Sequence, residues 1–163
     1  SRQYLSSVER IDVSFARGER EGTPPSPALL LASWFMRRTG IAPLGAERMG
    51  SGGISISALQ GDHGVEVHLS PTGRGLIPGG IAAFVVRANA SEGSATFVVK
   101  SVSMTDVVVT KQCPRLCLPP QELELLPLSE AQLAAQAIGS RWRDPVYEEA
   151  LSSAVDVLTI LGE

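Results

Sequence analysis

The chain has only two cysteines among its 163 residues, and it has no excess of basic side chains. Two cysteines are too few for a disulfide scaffold, which favours a cytoplasmic-type domain. The net charge of −3 gives no electrostatic reason to bind nucleic acid or an anionic membrane. The uncharged stretch 75–86 is too short to cross a bilayer and is interrupted by Pro78. We therefore expect a cytoplasmic protein without nucleic-acid or membrane partners.

The sequence also lacks the usual signatures of catalysis. It has no Gly-x-Ser-x-Gly elbow and no Gly-Lys-Ser/Thr phosphate loop. The glycine-rich stretch 73–80 shows no helix start after it, so we interpret it as a structural turn. His63 and His68 are five residues apart across a turn and the next strand, and we interpret them as solvated. We expect no metal site, no cofactor and no enzymatic activity.

One chemical motif is present, the pair Cys113 and Cys117 with Pro114 and Arg115 between them. An extended chain would separate the two Cα atoms by roughly 13 Å, whereas a disulfide needs about 4.4–6.8 Å. A bond therefore requires a turn, which Pro114 favours, and Arg115 favours a thiolate. Two unpaired thiols and a redox-responsive pair both remain open.

Length and patterning predict one α+β domain spanning residues 1–163, with a mostly antiparallel sheet, one N-terminal helix and two C-terminal helices. The first residues resemble the cut end of a longer protein. Glycine-rich stretches 45–53 and 70–80 are expected to be loops. The predicted strands are 8–15, 54–59, 65–69, 81–87, 95–102, 105–111 and 122–126, and the predicted helices are 26–40, 129–141 and 144–161.

The junction between the two C-terminal helices concentrates residues that are common in protein interfaces. Trp142, Arg143 and Tyr147 lie within six positions, and Glu148 follows them. The same rings could instead fasten the two helices to the sheet, and the two interpretations are compatible. We predict Trp142, Arg143, Tyr147 and Glu148 as partner-binding candidates.

Segments at both ends of the chain carry a family resemblance. The C-terminal ones are 126–129 (Leu-Pro-Leu-Ser), 141–144 (Arg-Trp-Arg-Asp) and 147–151 (Tyr-Glu-Glu-Ala-Leu). The N-terminal ones are 11–13 (Ile-Asp-Val) and 27–34, an aliphatic helix ending in Trp. Together they resemble the glucose-6-phosphate dehydrogenase assembly protein family (OpcA), in particular its cyanobacterial branch.

The resemblance implies a non-catalytic allosteric activator, of which this chain would be the C-terminal domain. Its partner would be glucose-6-phosphate dehydrogenase of the oxidative pentose phosphate pathway, whose oligomerisation and activity it would promote. It also implies thioredoxin-linked redox regulation, which we assign to Cys113 and Cys117. The alternative is a small-ligand sensor for sugar phosphates or nucleotides, in which loops 45–53 and 70–80 frame a pocket. A purely structural domain is a third interpretation.

Overall fold

The computed structural model describes residues 2–17, 26–73, 77, 79–114, 116–125 and 144–162. These residues form an α+β fold with a mostly antiparallel sheet, which confirms the predicted class. The helices are α1 (Arg2–Leu5), α2 (Ser26–Thr39) and α3 (Pro145–Leu161). The strands are β1 (Val8–Ala16), β2 (Ile41–Arg48), β3 (Ile54–Gln60), β4 (His63–Thr72), β5 (Ile81–Ala90), β6 (Gly93–Ser101), β7 (Asp106–Cys113), β8 (Leu116–Cys117) and β9 (Gln121–Glu124).

A single sheet contains all nine described strands in the order β2-β3-β4-β1-β5-β6-β7-β8, and β9 also pairs with β7. Strands β1 and β4 run parallel, and every other described pair is antiparallel. The predicted turns at 61–64 and 89–93 join β3 to β4 and β5 to β6. The predicted antiparallel pairing of the runs 95–102 and 105–111 is also confirmed.

Helices α2 and α3 pack against each other and cover one face of the sheet. Strand β1 alternates, so Ile11, Val13 and Phe15 are buried beneath α2 while Asp12 and Ser14 point to the other face. Phe35 of α2 lies against Phe84 of β5 with ring centroids 5.2 Å apart. We call the sheet face opposite α2 and α3 the open face. No described helix covers it.

Helix α3 begins and ends where its flanking residues satisfy the free backbone groups. The Asp144 carboxylate accepts hydrogen bonds from the backbone N–H of Val146 at 3.0 Å and of Tyr147 at 3.2 Å. At the other end, Gly162 adopts a left-handed φ of 82° that an L side chain rarely takes. None of the described helices is both long and apolar enough to cross a membrane.

Gln60 at the end of β3 is 7% exposed and joins three segments. Its Oε1 accepts a hydrogen bond from the backbone N–H of Val8 at 2.9 Å. Its Nε2 donates to the carbonyl oxygens of Leu5 at 2.6 Å and Thr39 at 2.7 Å. One side chain thus fixes the start of β1 against the ends of α1 and α2.

The structure corrects the prediction of a loop at 45–53. Residues 45–48 belong to β2, which pairs with β3 along its length, and a register shift between Pro43 and Gly45 accommodates the irregular sequence. The predicted last strand, 122–126, is observed as β9. The short helix α1 was not predicted, and the predicted helix 129–141 lies outside the described residues.

Candidate functional site on the open face

Five ionisable side chains meet on the open face where β4, β1 and β5 run side by side. Arg10 of β1 lies opposite Glu66 of β4 and Arg87 of β5 in the strand register. Asp12, two residues further along β1, lies opposite His68 of β4. Because directly opposite residues share a face, the register alone brings these side chains together. We call Arg10, Asp12, Glu66, His68 and Arg87 the charged cluster.

Asp12 is the centre of the charged cluster. Its two carboxylate oxygens lie 2.8 Å and 3.1 Å from Nε of Arg10, and Oδ2 also lies 3.1 Å from Nη1 of Arg87. At the edge of the cluster, Oε2 of Glu66 lies 3.7 Å from Nη1 of Arg10 and 3.5 Å from Nε2 of His68. Asp12 is 22% exposed and Glu66 is 68% exposed, so the ion pairs become more solvated from β1 towards β4.

The charged cluster is suited to binding and packing. Two guanidinium groups face two carboxylates, so the formal charges of the arginines and acids balance. Ion pairs that are mutually satisfied can be covered by another surface at lower cost than isolated charges. Within the described ranges, no group of three His, Cys, Asp or Glu residues has the geometry of a metal site.

A shallow depression of about 330 Å³ lies further along the sheet, between β2 and β3. Its lining is Gly45, Ala46, Glu47, Ser55 and Ser57. A Cβ at Gly45 would lie 2.9 Å from Oγ of Ser57, so the missing side chain helps to open the depression. No described residue of 70–80 lines it, so the two glycine-rich stretches do not frame a common pocket in the described structure.

The two predicted redox residues lie on neighbouring strands but are not opposite each other. Cys113, at the end of β7, is half-buried beside Tyr4, Ala88 and Ala95, and its thiol is free. In the antiparallel register Cys113 lies opposite Leu116, and Cys117 lies opposite Gln112. Redox pairing of the two cysteines stays a prediction.

The described partner-binding candidates, Tyr147 and Glu148, lie away from the charged cluster. Tyr147 is 53% exposed in the first turn of α3, and Glu148 beside it is also exposed. Tyr147 continues into Leu151 and Val155 at helical spacing, both exposed. Trp142 and Arg143 lie outside the described residues. Helix α3 packs on α2 and β2, so it belongs to the helical side of the sheet.

Sequence reasoning missed the charged cluster. A signal was present, because polar residues alternate with apolar ones in both β1 and β4. That alternation predicts a solvated face but not which strands are neighbours. His68, which we interpreted as solvated, is only 24% exposed and lies beside Glu66. The parallel pairing of β1 with β4 creates this contact, and it joins residues that are far apart along the chain.

Comparisons with known proteins identify similar structures but no family. No protein-family model and no curated protein matches the chain. One similar solved structure is a mutant form of KijD10, a 3-ketoreductase from Actinomadura kijaniata, in complex with TDP-benzene and NADP. It has a TM-score of 0.50 and 12% identity, over 98% of this chain and 54% of that one. A dehydrogenase (MviM) from Clostridium difficile has a TM-score of 0.48 and 7% identity, over 94% of this chain and 54% of that one.

These findings correct the interpretation based on family resemblance. The resemblance to the glucose-6-phosphate dehydrogenase assembly protein family is wrong, because no family model or curated protein supports it and the fold is instead similar to that of part of a 3-ketoreductase. The non-catalytic activator and the non-enzyme interpretation were wrong with it. The chain spans about half the length of the solved chains it resembles.

Proposed function

We propose that this chain is the sheet half of an NADP-dependent oxidoreductase that reduces a carbonyl group. The observation that carries the proposal is the extent of the structural match. The match covers 98% of this chain and 54% of a 3-ketoreductase, which supports a correspondence with part of that enzyme. The proposal includes a longer natural protein that supplies the remaining part.

In this proposal, the nucleotide-binding site lies in the remaining part of the protein and not in this chain. Dinucleotides bind at the carboxyl ends of parallel strands, where a glycine-rich turn leads into a helix. Here the described sheet has one parallel pair, and the glycine-rich stretch 73–80 leads into β5. A strand at that position offers no helix N-terminus to a phosphate group. The sheet half would instead complete the enclosure in which hydride passes from NADPH to the carbonyl carbon.

The proposed setting is the cytoplasm. Two cysteines, of which Cys113 is a free thiol, suit a reducing compartment better than a secreted one.

The test compares the full-length natural protein with the 163-residue chain. The full-length protein should bind NADPH in calorimetry and should oxidise it in the presence of keto sugars carried on a nucleoside diphosphate, followed by absorbance. The isolated chain is the matched control and should neither bind nor oxidise NADPH. Failure of the full-length protein to bind NADPH, or tight binding of NADPH by the isolated chain, would contradict the proposal.

A further inference from the structure

The depression between β2 and β3 is lined by side chains that can accept hydrogen bonds. Ser55 and Ser57 alternate with buried apolar residues along β3, so both hydroxyls lie on the open face. In the register of β2 with β3, Glu47 lies opposite Ser55 and Gly45 lies opposite Ser57. The lining therefore brings one carboxylate and two hydroxyls together from two neighbouring strands.

The backbone at Gly45 fixes how the Ser57 hydroxyl is used. Because Gly45 has no Cβ, which would lie 2.9 Å from Oγ of Ser57, the hydroxyl can approach the backbone of β2. It donates a hydrogen bond to the carbonyl oxygen of Gly45 at 3.4 Å. A hydroxyl has one proton and two lone pairs, so Ser57 is left as an acceptor towards a ligand.

Glu47 gives the depression an unbalanced negative charge. It is exposed, and no ion pair among the described residues involves it. Glu66, which lies opposite Ser57 on β4, is balanced instead, because its Oε2 lies 3.7 Å from Nη1 of Arg10 and 3.5 Å from Nε2 of His68. The depression therefore attracts cations and repels phosphate and carboxylate groups.

The lining suits an ammonium group better than a metal ion. Calcium and magnesium sites use several oxygen ligands around the ion, whereas Glu47 is the single ionisable residue in the described lining. A primary ammonium group has three N–H donors and no acceptor. These donors match the carboxylate of Glu47 and the hydroxyls of Ser55 and Ser57. A volume of about 330 Å³ is that of a small-molecule site.

We propose that the depression binds a small molecule through a primary ammonium group. The ammonium group forms an ion pair with Glu47 and donates hydrogen bonds to the hydroxyls of Ser55 and Ser57. Because the site is shallow, its affinity is in the millimolar range. This site goes beyond the proposed oxidoreductase role and does not depend on it, because binding is measured without NADPH and without a carbonyl substrate.

The first test titrates the full-length natural protein with glucosamine and with glucose, followed by NMR at a pH at which the amine is protonated. Glucose is a matched probe, since a hydroxyl replaces the ammonium group on the same ring. Glucosamine should bind at least about tenfold more tightly than glucose, because hydrogen bonds from a charged donor are stronger than neutral ones. Equal affinities, or no binding of glucosamine at millimolar concentration, would overturn the proposal.

The second test replaces the carboxylate. Glu47→Gln changes an exposed side chain, so folding should be retained as checked by circular dichroism. It should raise the dissociation constant for glucosamine at least about tenfold, because the charge is lost while an acceptor remains. Glu122→Gln on β9 is the matched control and should bind as the parent does. Equal effects of the two variants would mean that glucosamine associates with surface carboxylates in general, which contradicts the proposal.

A third test separates the hydroxyl from the charge. Ser57→Ala removes one acceptor at an exposed position of β3 and should weaken glucosamine binding about fivefold. Ser152→Ala on the exposed side of α3 is its control and should not change the affinity. Parental affinity of Ser57→Ala would show that the ammonium group does not lie in the depression.

Discussion

At the residue scale, two buried polar side chains have opposite effects on the stability of the fold. Gln60 uses its amide oxygen and nitrogen in three hydrogen bonds to backbone groups from three segments. Ser33 of α2 is fully buried, yet its hydroxyl has no hydrogen-bond partner in the described part of the chain. Because a buried polar atom loses its hydrogen bonds to water, the first side chain stabilises the fold and the second destabilises it.

Replacing Gln60 should be strongly destabilising. Gln60→Leu leaves the N–H of Val8 and the carbonyls of Leu5 and Thr39 without this partner. We expect a loss of about 3 kcal/mol or more in the free energy of unfolding. In a chain of this length that lowers Tm by roughly 6–12 °C. Thermal denaturation checks this against Gln112→Leu at the exposed position of β7, which should change Tm little. Equal effects of the two variants would show that the three hydrogen bonds contribute little.

Removing the buried hydroxyl of Ser33 should stabilise the protein. Ser33→Ala deletes one unsatisfied polar atom, leaves the helix intact and places the best helix former at the position. We expect the free energy of unfolding to rise by about 1 kcal/mol in urea denaturation. Ser152→Ala on the exposed side of α3 controls for helix propensity and should give a smaller gain. A destabilised Ser33→Ala protein would mean that the hydroxyl has a hydrogen-bond partner after all.

At the element scale, the connection from β2 to β3 depends on one of its glycines and not on another. A Cβ at Gly53 would lie 2.3 Å from the carbonyl oxygen of Leu69, which is backbone and cannot move aside easily. A Cβ at Gly50 would meet nothing within 4 Å. We expect Gly53→Ala to cost about 2 kcal/mol or more and Gly50→Ala to stay within about 0.5 kcal/mol of the parent. Urea denaturation of both variants measures the difference, and equal stabilities would show that the backbone at Gly53 accommodates a Cβ.

The described elements with a regular period were predicted from the sequence. β1 and β4 alternate, α2 shows helical spacing and ends at Thr39, just before Gly40, and Asp144 precedes α3 as a cap. β2 was missed because Pro43 and Gly45 are rare inside strands, and only its pairing with β3 makes it one. The charged cluster was missed because the order of strands in the sheet is set by contacts between residues that are distant in the chain. The alternation within a strand does not reveal that order.

At the scale of the whole molecule, backbone amides should be most strongly protected from hydrogen exchange in the middle of the sheet. Strand β1 is hydrogen-bonded to β4 on one edge and to β5 on the other, whereas β9 is short and exposed throughout. Amides of Ile11 and Val13 should therefore exchange only through global unfolding, and those of β9 through local opening. Hydrogen exchange followed by NMR or mass spectrometry checks this order. Exchange in β9 as slow as in β1 would contradict it.

The central position of β1 has a consequence during synthesis. It is the first described strand to leave the ribosome, yet its neighbours are β4 and β5, so one edge stays unpaired until residue 72 has been made and the other until residue 90. The hairpins β3–β4, β5–β6 and β6–β7 can each close as soon as they emerge. β1 therefore waits longer for its first strand partner than any later described strand does. Aggregation at that stage depends most on how soon β4 and β5 follow.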